Sequence, residues 1–184
     1  LSDLAAAGAH PVGFTWALRG PEQLAPAFWS GFLRGAAEVC AETGLFLFGG
    51  DLSRGAPFSA VVTAWGDSAR VPGRRGAKPG DGIYVTGPLG SGAAGRRAFE
   101  RGEGGAAVVR YLRPALHLEA GQALSAHASA MCDVSDGLLI DLERICRASG
   151  CGAELDDLEA LGALADEASL EDGAAGRGQV EGRR

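Results

Sequence analysis

An α/β protein in two lobes, of the α+β kind, is what this sequence predicts, and three observations carry that expectation. Short stretches rich in β-formers alternate with stretches whose apolar residues recur at helical spacing, along most of the chain. No segment repeats another. A stretch rich in Gly, Pro and charge, residues 66–82, interrupts the alternation and marks a lobe boundary. The expected organisation is a partial N-terminal mixed-sheet lobe over residues 1–72, a partial C-terminal α/β lobe over 73–170, and a frayed tail over 171–184.

Residues 1–8 read as the end of a helix stopped by Gly8, and residues 13–18 alternate as a strand. Pro21 opens a helix at a tolerated early position, with Pro26 offering a start one turn later. Leu24, Phe28, Phe32, Ala36, Val39 and Cys40 form its apolar stripe, and Gly44 suits its C-terminal cap. Residues 45–48 make a short apolar strand that delivers Gly49-Gly50-Asp51, and residues 58–65 make another. Lys78-Pro79-Gly80-Asp81 fits a type II turn, with Pro then Gly at its centre.

A strand is expected at 83–86, a loop at 87–92, and helices at 93–101, 105–112 and 115–128, the last two parted by Pro114. A short strand at 131–134 follows. Ser135 is a good N-cap for a helix over 136–148, whose buried stripe is Leu138, Leu139, Leu142, Ile145 and Cys146 and whose stop is Gly150. A strand at 153–155 and a weak helix at 158–168 complete the pattern. From Glu171 on there is little to bury.

The chain has 184 residues, 46% hydrophobic and 22% charged, which is enough apolar material for a core. Its net charge of -6 argues against a nucleic-acid partner, since phosphate backbones demand a basic face. No apolar run is long enough to span a bilayer. The first residues lack a basic start, a long apolar stretch and an initiator Met, so no signal peptide is expected and the chain is expected to begin inside a longer protein or to have been processed. Cys40, Cys132, Cys146 and Cys151 form no Cys-x-x-Cys pair and read as small apolar groups in a reducing cytoplasm.

Two glycine-flanked acidic segments carry the chemistry. One is Gly49-Gly50-Asp51-Leu52-Ser53-Arg54-Gly55; the other is Asp133-Val134-Ser135-Asp136-Gly137. Mg²⁺ wants hard oxygen ligands and is usually held by one or two carboxylates together with substrate phosphates. A nearby arginine then holds the phosphate oxygens. The plainer alternative stays open at this point: Asp51 as a turn residue, and Asp133, Ser135 and Asp136 as ordinary helix-capping residues. Arg54, Arg74 and Arg75 also fit solvated surface charge.

Gly90-Ser91-Gly92-Ala93-Ala94-Gly95 matches Gly-x-Gly-x-x-Gly between a strand and a helix. The second strand ending in an acid, which a dinucleotide site requires, is missing, so a phosphate-approach or tight-packing loop is preferred. No Gly-Lys-Ser/Thr follows these glycines, which excludes a Walker A loop, and no Gly-x-Ser-x-Gly or His-Glu-x-x-His occurs. His10, His117 and His127 have no nucleophile partner and are given no role.

Taken in order, Leu1-Ser2-Asp3-Leu4-Ala5-Ala6-Ala7-Gly8-Ala9, Gly49 to Gly55, Arg75-Gly76-Ala77-Lys78-Pro79-Gly80-Asp81, Ile83-Tyr84-Val85-Thr86-Gly87 and Asp133-Val134-Ser135-Asp136-Gly137-Leu138 resemble the thiamine-monophosphate kinases of the aminoimidazole ribonucleotide synthetase superfamily. The resemblance covers about residues 1–160. It implies transfer of the ATP γ-phosphoryl group to thiamine phosphate, with magnesium ions, in a cytoplasmic homodimer whose N-terminal lobes pair through a sheet. It implies magnesium on Asp51, Asp133 and Asp136, and nucleotide against Gly50, Asp51, Arg74 and Ser135, with Arg75 as the alternative to Arg74. The family's upstream Gly-Asp-Asp and downstream Gly-Gly-Glu-Asp-Tyr segments have no match here, so the chain resembles an internal piece. Another ATP-using synthetase of the superfamily, or a non-catalytic dimerisation or nucleotide-binding module, are the alternatives.

Overall fold

The computed structural model describes residues 1–155 and 178–179. It is a mixed α/β structure whose chain divides into two compact units: Leu1 with Ala9–Ala69, and Ser2–Gly8 with Arg70–Arg184.

The first unit is a three-stranded sheet with one helix packed on it. β1 (His10–Gly20) is central, parallel to β2 (Phe46–Arg54) on one side and antiparallel to β3 (Ser59–Asp67) on the other. Parallel neighbours need a crossover, and α2 (Pro26–Thr43) supplies it. This helix starts at Pro26, the later of the two proline starts, because Pro tolerates the first helical turn. It ends on Gly44, which is left-handed at φ 69° as a C-cap requires.

Phe14 and Leu18 are buried at the centre of the sheet. Trp16 meets Phe32 of α2 at 5.5 Å between ring centroids, and Phe58 lies among Phe28, Trp29 and Phe32 at 4.9, 5.8 and 5.6 Å. Such aromatic contacts add to plain burial through their edge and offset geometry.

β2 is longer than the expected 45–48 strand. It runs through Gly49-Gly50-Asp51 with a register irregularity opposite Phe14 and Thr15, so Asp51 lies inside a strand, paired with Ala17, rather than beyond its end. Gly13 is required here: a Cβ on it would sit 2.1 Å from the ring of Phe48. Its absence lets Phe48 lie across β1 towards Trp65, 5.1 Å away, with Phe46 beside it at 5.0 Å. This aromatic group is open to solvent, with Phe46 61% and Phe48 56% exposed.

The second unit is mostly helical. α1 (Ser2–Ala6) packs on α5 (Leu118–Ser125), and α3 (Ser91–Glu100) packs on α4 (Ala106–Leu112). α6 (Leu138–Ser149) follows and ends on left-handed Gly150. β4 (Gly82–Ile83) is shorter than the expected 83–86 strand and pairs antiparallel with β5 (Gly178–Gln179). The expected turn at Lys78–Asp81 is present: the Asp81 amide donates to the Lys78 carbonyl at 3.0 Å, and Gly80 has φ 93°.

Three expectations fail in this unit. Residues 131–134 form no strand; the Met131 amide donates to the Gly73 carbonyl at 2.7 Å, and no ladder forms. Leu139 is 60% exposed, so the stripe of α6 is narrower than expected. Residues 153–155 hold only a bridge at Glu154. The expected helix at 158–168 lies outside the described residues, as does the tail over 171–184 except for Gly178 and Gln179, which pair.

The Gly-x-Gly-x-x-Gly segment has a packing explanation. A Cβ on Gly95 would fall 2.1 Å from the Ala107 carbonyl oxygen and 2.7 Å from Cβ of Tyr111, so this glycine lets α3 and α4 touch. Gly92 has nothing within 4 Å of the same position. Gly95→Ala is therefore expected to cost about 1–3 kcal/mol through overpacking, read as a lower urea midpoint. Gly92→Ala should be neutral or stabilise by up to about 1 kcal/mol, since it only removes a helical glycine. Equal effects of the two substitutions would remove the packing explanation.

Candidate functional site

The sequence-predicted residues fall in both units. Gly50 and Asp51 belong to the first, on β2. Asp51 is exposed on its strand. A Cβ on Gly50 would lie 2.1 Å from the Trp16 carbonyl oxygen and 2.4 Å from the Trp16 ring, so the close approach that demands glycine there is already made by Trp16.

Arg74, Asp133, Ser135 and Asp136 belong to the second unit. Asp133, Ser135 and Asp136 lie on the wall of a cavity of ≈ 840 Å³ that is also lined by the loop Gly87–Ala93 and by Arg110, Arg113 and His117. That volume is in the range of small-molecule sites.

α6 holds the parts of this site in place. Contrary to expectation, Ser135 does not cap it; Gly137 is the N-cap position and makes no side-chain bond, and the helix starts at Leu138. The amides of Ser135 and Asp136 instead donate to Oδ2 of Asp141, both at 3.0 Å. Asp141 is 1% exposed, and Arg144 donates to its Oδ1 at 2.6 Å. The other guanidinium nitrogen of Arg144 lies 2.6 Å from Oδ2 of Asp136. Backbone and side chain of Asp136 are thus both referred to one buried carboxylate.

At the other end of the helix, Oγ of Ser149 accepts the amides of Gly76 and Ala77, at 3.1 Å each, and donates to the Arg74 carbonyl at 3.1 Å. Of the two adjacent arginines, Arg74 reaches Asp133, with 3.9 Å between Nη2 and Oδ1.

Burial works against the charge of Asp141, but the Asp136 and Ser135 amides and then Arg144 outweigh it and hold its carboxyl below the usual carboxylate value. The hydrogen bond to Asp136, ahead of opposing desolvation, raises the Arg144 guanidinium. Burial, and next the charge of Asp141, pushes the Cys132 thiol up, so this cavity-wall sulfur stays protonated and is no nucleophile. All four cysteines are free and half-buried.

Among the described residues no group of three or more His, Cys, Asp or Glu side chains is placed to hold a metal ion. Asp133 and Asp136 nonetheless offer the hard carboxylate oxygens that magnesium takes, and magnesium needs no more than one or two of them when phosphates complete the shell. The donor set fits the ion.

Sequence reasoning missed Asp141, Arg144 and Ser149. A signal for Asp141 was present: it lies one turn from Leu138 and beside Leu142, an acid within an apolar stripe.

Known proteins bear on the whole chain. The model of the AIR synthase related protein N-terminal domain matches residues 1–67, and that of the C-terminal domain matches residues 78–173. Thiamine-monophosphate kinase of Salmonella typhimurium is 42% identical over 165 residues, covering 85% of this chain and 50% of the relative. The chain spans about half the length of the curated relatives it matches. Among solved structures, thiamine-monophosphate kinase of Stenotrophomonas maltophilia matches with a TM-score of 0.83 at 29% identity, covering 100% of this chain and 73% of that one. AaThiL complexed with AMPPCP and TMP matches with a TM-score of 0.85, covering 99% and 71%; at 23% identity this likeness concerns the fold. No helix among the described residues is long and apolar enough to cross a membrane.

The depressed value of Asp141 has a defined pH signature. A carboxyl lowered in the folded state contributes stability that is complete above its unfolded value and lost as pH falls through the folded one. The stability gap between the parent and Asp141→Asn, measured by urea unfolding, should be constant between about pH 5 and 7 and shrink below about pH 4. A gap that widens on acidification would contradict this account of Asp141.

Proposed function

The chain belongs to the AIR synthase related protein family, and from that premise we propose that the protein carrying it is a kinase that transfers the γ-phosphoryl group of ATP to thiamine phosphate, giving thiamine diphosphate. The observation that carries the proposal is the Asp133–Gly137 loop: two carboxylates at the wall of a ligand-sized cavity, each facing an arginine. The similarity to the Salmonella kinase supports the choice of substrate.

Asp133 and Asp136 would hold magnesium here, and Asp51 would hold it on the first unit. Bound magnesium supplies charge neutralisation on phosphate oxygens. Arg74, its backbone fixed by Ser149, donates to phosphate. The exposed Ser135 and the glycine-backed strand at Gly50 contact the nucleotide. Phosphoryl transfer asks for positioning and charge neutralisation rather than a protein nucleophile, and the protonated Cys132 offers none.

The partner proposed is a second copy of the protein in the cytoplasm. The open aromatic group of Phe46, Phe48 and Trp65 on the first unit's sheet is the surface such a partner would cover.

Three measurements test these assignments on the full-length protein. Asp133→Asn should weaken Mg·ATP binding by about tenfold or more while changing metal-free ATP binding little, since the carboxylate acts through the cation; equal losses would reduce Asp133 to a structural residue. Turnover of ATP with a chiral γ-phosphate should invert its configuration, and retention or a trapped phosphorylated side chain would overturn direct transfer. Phe48→Ser should shift the protein from dimer to monomer in sedimentation, and a parent that already sediments as a monomer would exclude the homodimer.

A further inference from the structure

We infer that Asp141 and Arg144 are a positioning pair for the Asp133–Gly137 loop: Asp141 sets the loop's backbone, and Arg144 is a built-in counter-cation on Asp136 that hands this carboxylate to a divalent cation while staying paired to Asp141. The role rests on the kinase function proposed above.

The geometry departs from ordinary capping. A capping side chain sits before a helix and accepts amides of its first turn. Asp141 sits inside α6 and reaches back, accepting amides that precede the helix, from Ser135 and Asp136. An apolar side chain of similar size would fill the same space without desolvating a charge. It would leave both amides unanswered and the loop free to take other shapes. The buried carboxylate thus fixes the direction of the segment that carries both proposed magnesium ligands.

Arg144 is shared. One nitrogen holds Asp141 and the other holds Asp136, both at 2.6 Å. Asp141 is buried while the Asp136 side chain is 52% exposed, so the two bonds are unequal in their access to competitors. A cation arriving from solvent meets Asp136. Once Asp136 has a new partner, Arg144 keeps the buried one and no unpaired charge is created. In the absence of the cation, Arg144 neutralises Asp136 and restrains its side chain. The two members of the pair therefore have opposite effects on metal affinity. Loss of Asp141 loosens the loop and weakens binding. Loss of Arg144 removes a positive charge that competes with the cation for Asp136, and this outweighs the rotamer freedom Asp136 regains.

The test uses the full-length protein with Mn²⁺ alone as the probe, followed by electron paramagnetic resonance, beside amide hydrogen exchange. Asp141→Asn should weaken Mn²⁺ binding by about tenfold and speed exchange of the Ser135 and Asp136 amides. Arg144→Gln should tighten Mn²⁺ binding severalfold and leave those amides protected. Unaltered Mn²⁺ binding in Asp141→Asn, or unaltered exchange of the Ser135 and Asp136 amides, overturns the positioning role. If Asp141→Asn does not fold, Arg144→Gln decides, and unchanged or weaker Mn²⁺ binding overturns the pair. Asp133→Asn run in parallel separates the two levels: a metal-selective loss there with none in Asp141→Asn sinks the positioning pair alone, and no loss in either sinks the magnesium site.

Discussion

A carboxylate cut off from water has to find its hydrogen bonds within the protein, and around Asp141 those bonds shape the second unit's site. The two loop amides and Arg144 supply them. Because the bonded partners are the backbone of Ser135 and Asp136 and the arginine that grips Asp136, the loop has little freedom left once α6 is formed. The depressed value of the Asp141 carboxyl shows that these partners outweigh the burial that opposes its charge. The proposed role would benefit from such rigidity, since electrostatic stabilisation depends on groups that need not reorganise.

α6 does the same for the opposite side of the site through Ser149. One hydroxyl satisfies two amides and one carbonyl of the 74–77 segment. Gly76 lets that segment come close to the chain at Ser129, where a Cβ would stand 2.6 Å from the carbonyl oxygen. Arginine and carboxylates are thus spaced by a single rigid helix, whose length fixes the distance between their anchors. The loop that looked like a phosphate cradle, Gly90 to Gly95, owes its last glycine to helix packing instead.

How much of this could be read from sequence depended on where the deciding contact lay. Helix ends that carry their own punctuation were legible: Gly8, Gly44 and Gly150 all stop helices in left-handed geometry, and Gly80 makes the turn that Pro79 opens. The alternation of strands and helices gave the mixed α/β class, and the acidic segments carried the family resemblance. Residues 131–134 failed because a β-rich composition forms a strand only where a neighbour offers a ladder. Ser135 failed as a cap because the helix starts at Leu138, with Gly137 at the cap position, two residues beyond it. Asp141 drew no reading although it stands within an apolar stripe, since the partners that give it a role precede the helix and periodicity says nothing about them. That Gly50 must be a glycine to clear Trp16 was not legible either, since the pairing of β1 with β2 decides it.

The docking of α1 on α5 has a consequence for the order in which the chain can fold. Ser2–Gly8 belongs with the second unit although the whole first unit separates it from its partner. The fit is close: Gly121 has no room for a side chain against Ala5, nor Gly8 against Ser125. In an unfolded chain this contact would have to close a very long loop, at an entropic cost. The sheet of the first unit removes most of that cost, because β1 and β3 pair His10 with Asp67 and so bring the two ends of the unit together. Arg70, just beyond, donates to the carbonyl of Ser125, next to Gly8. Once that sheet has formed, α1 and α5 are joined by a much shorter effective loop, so their docking is entropically favoured after the sheet rather than before it.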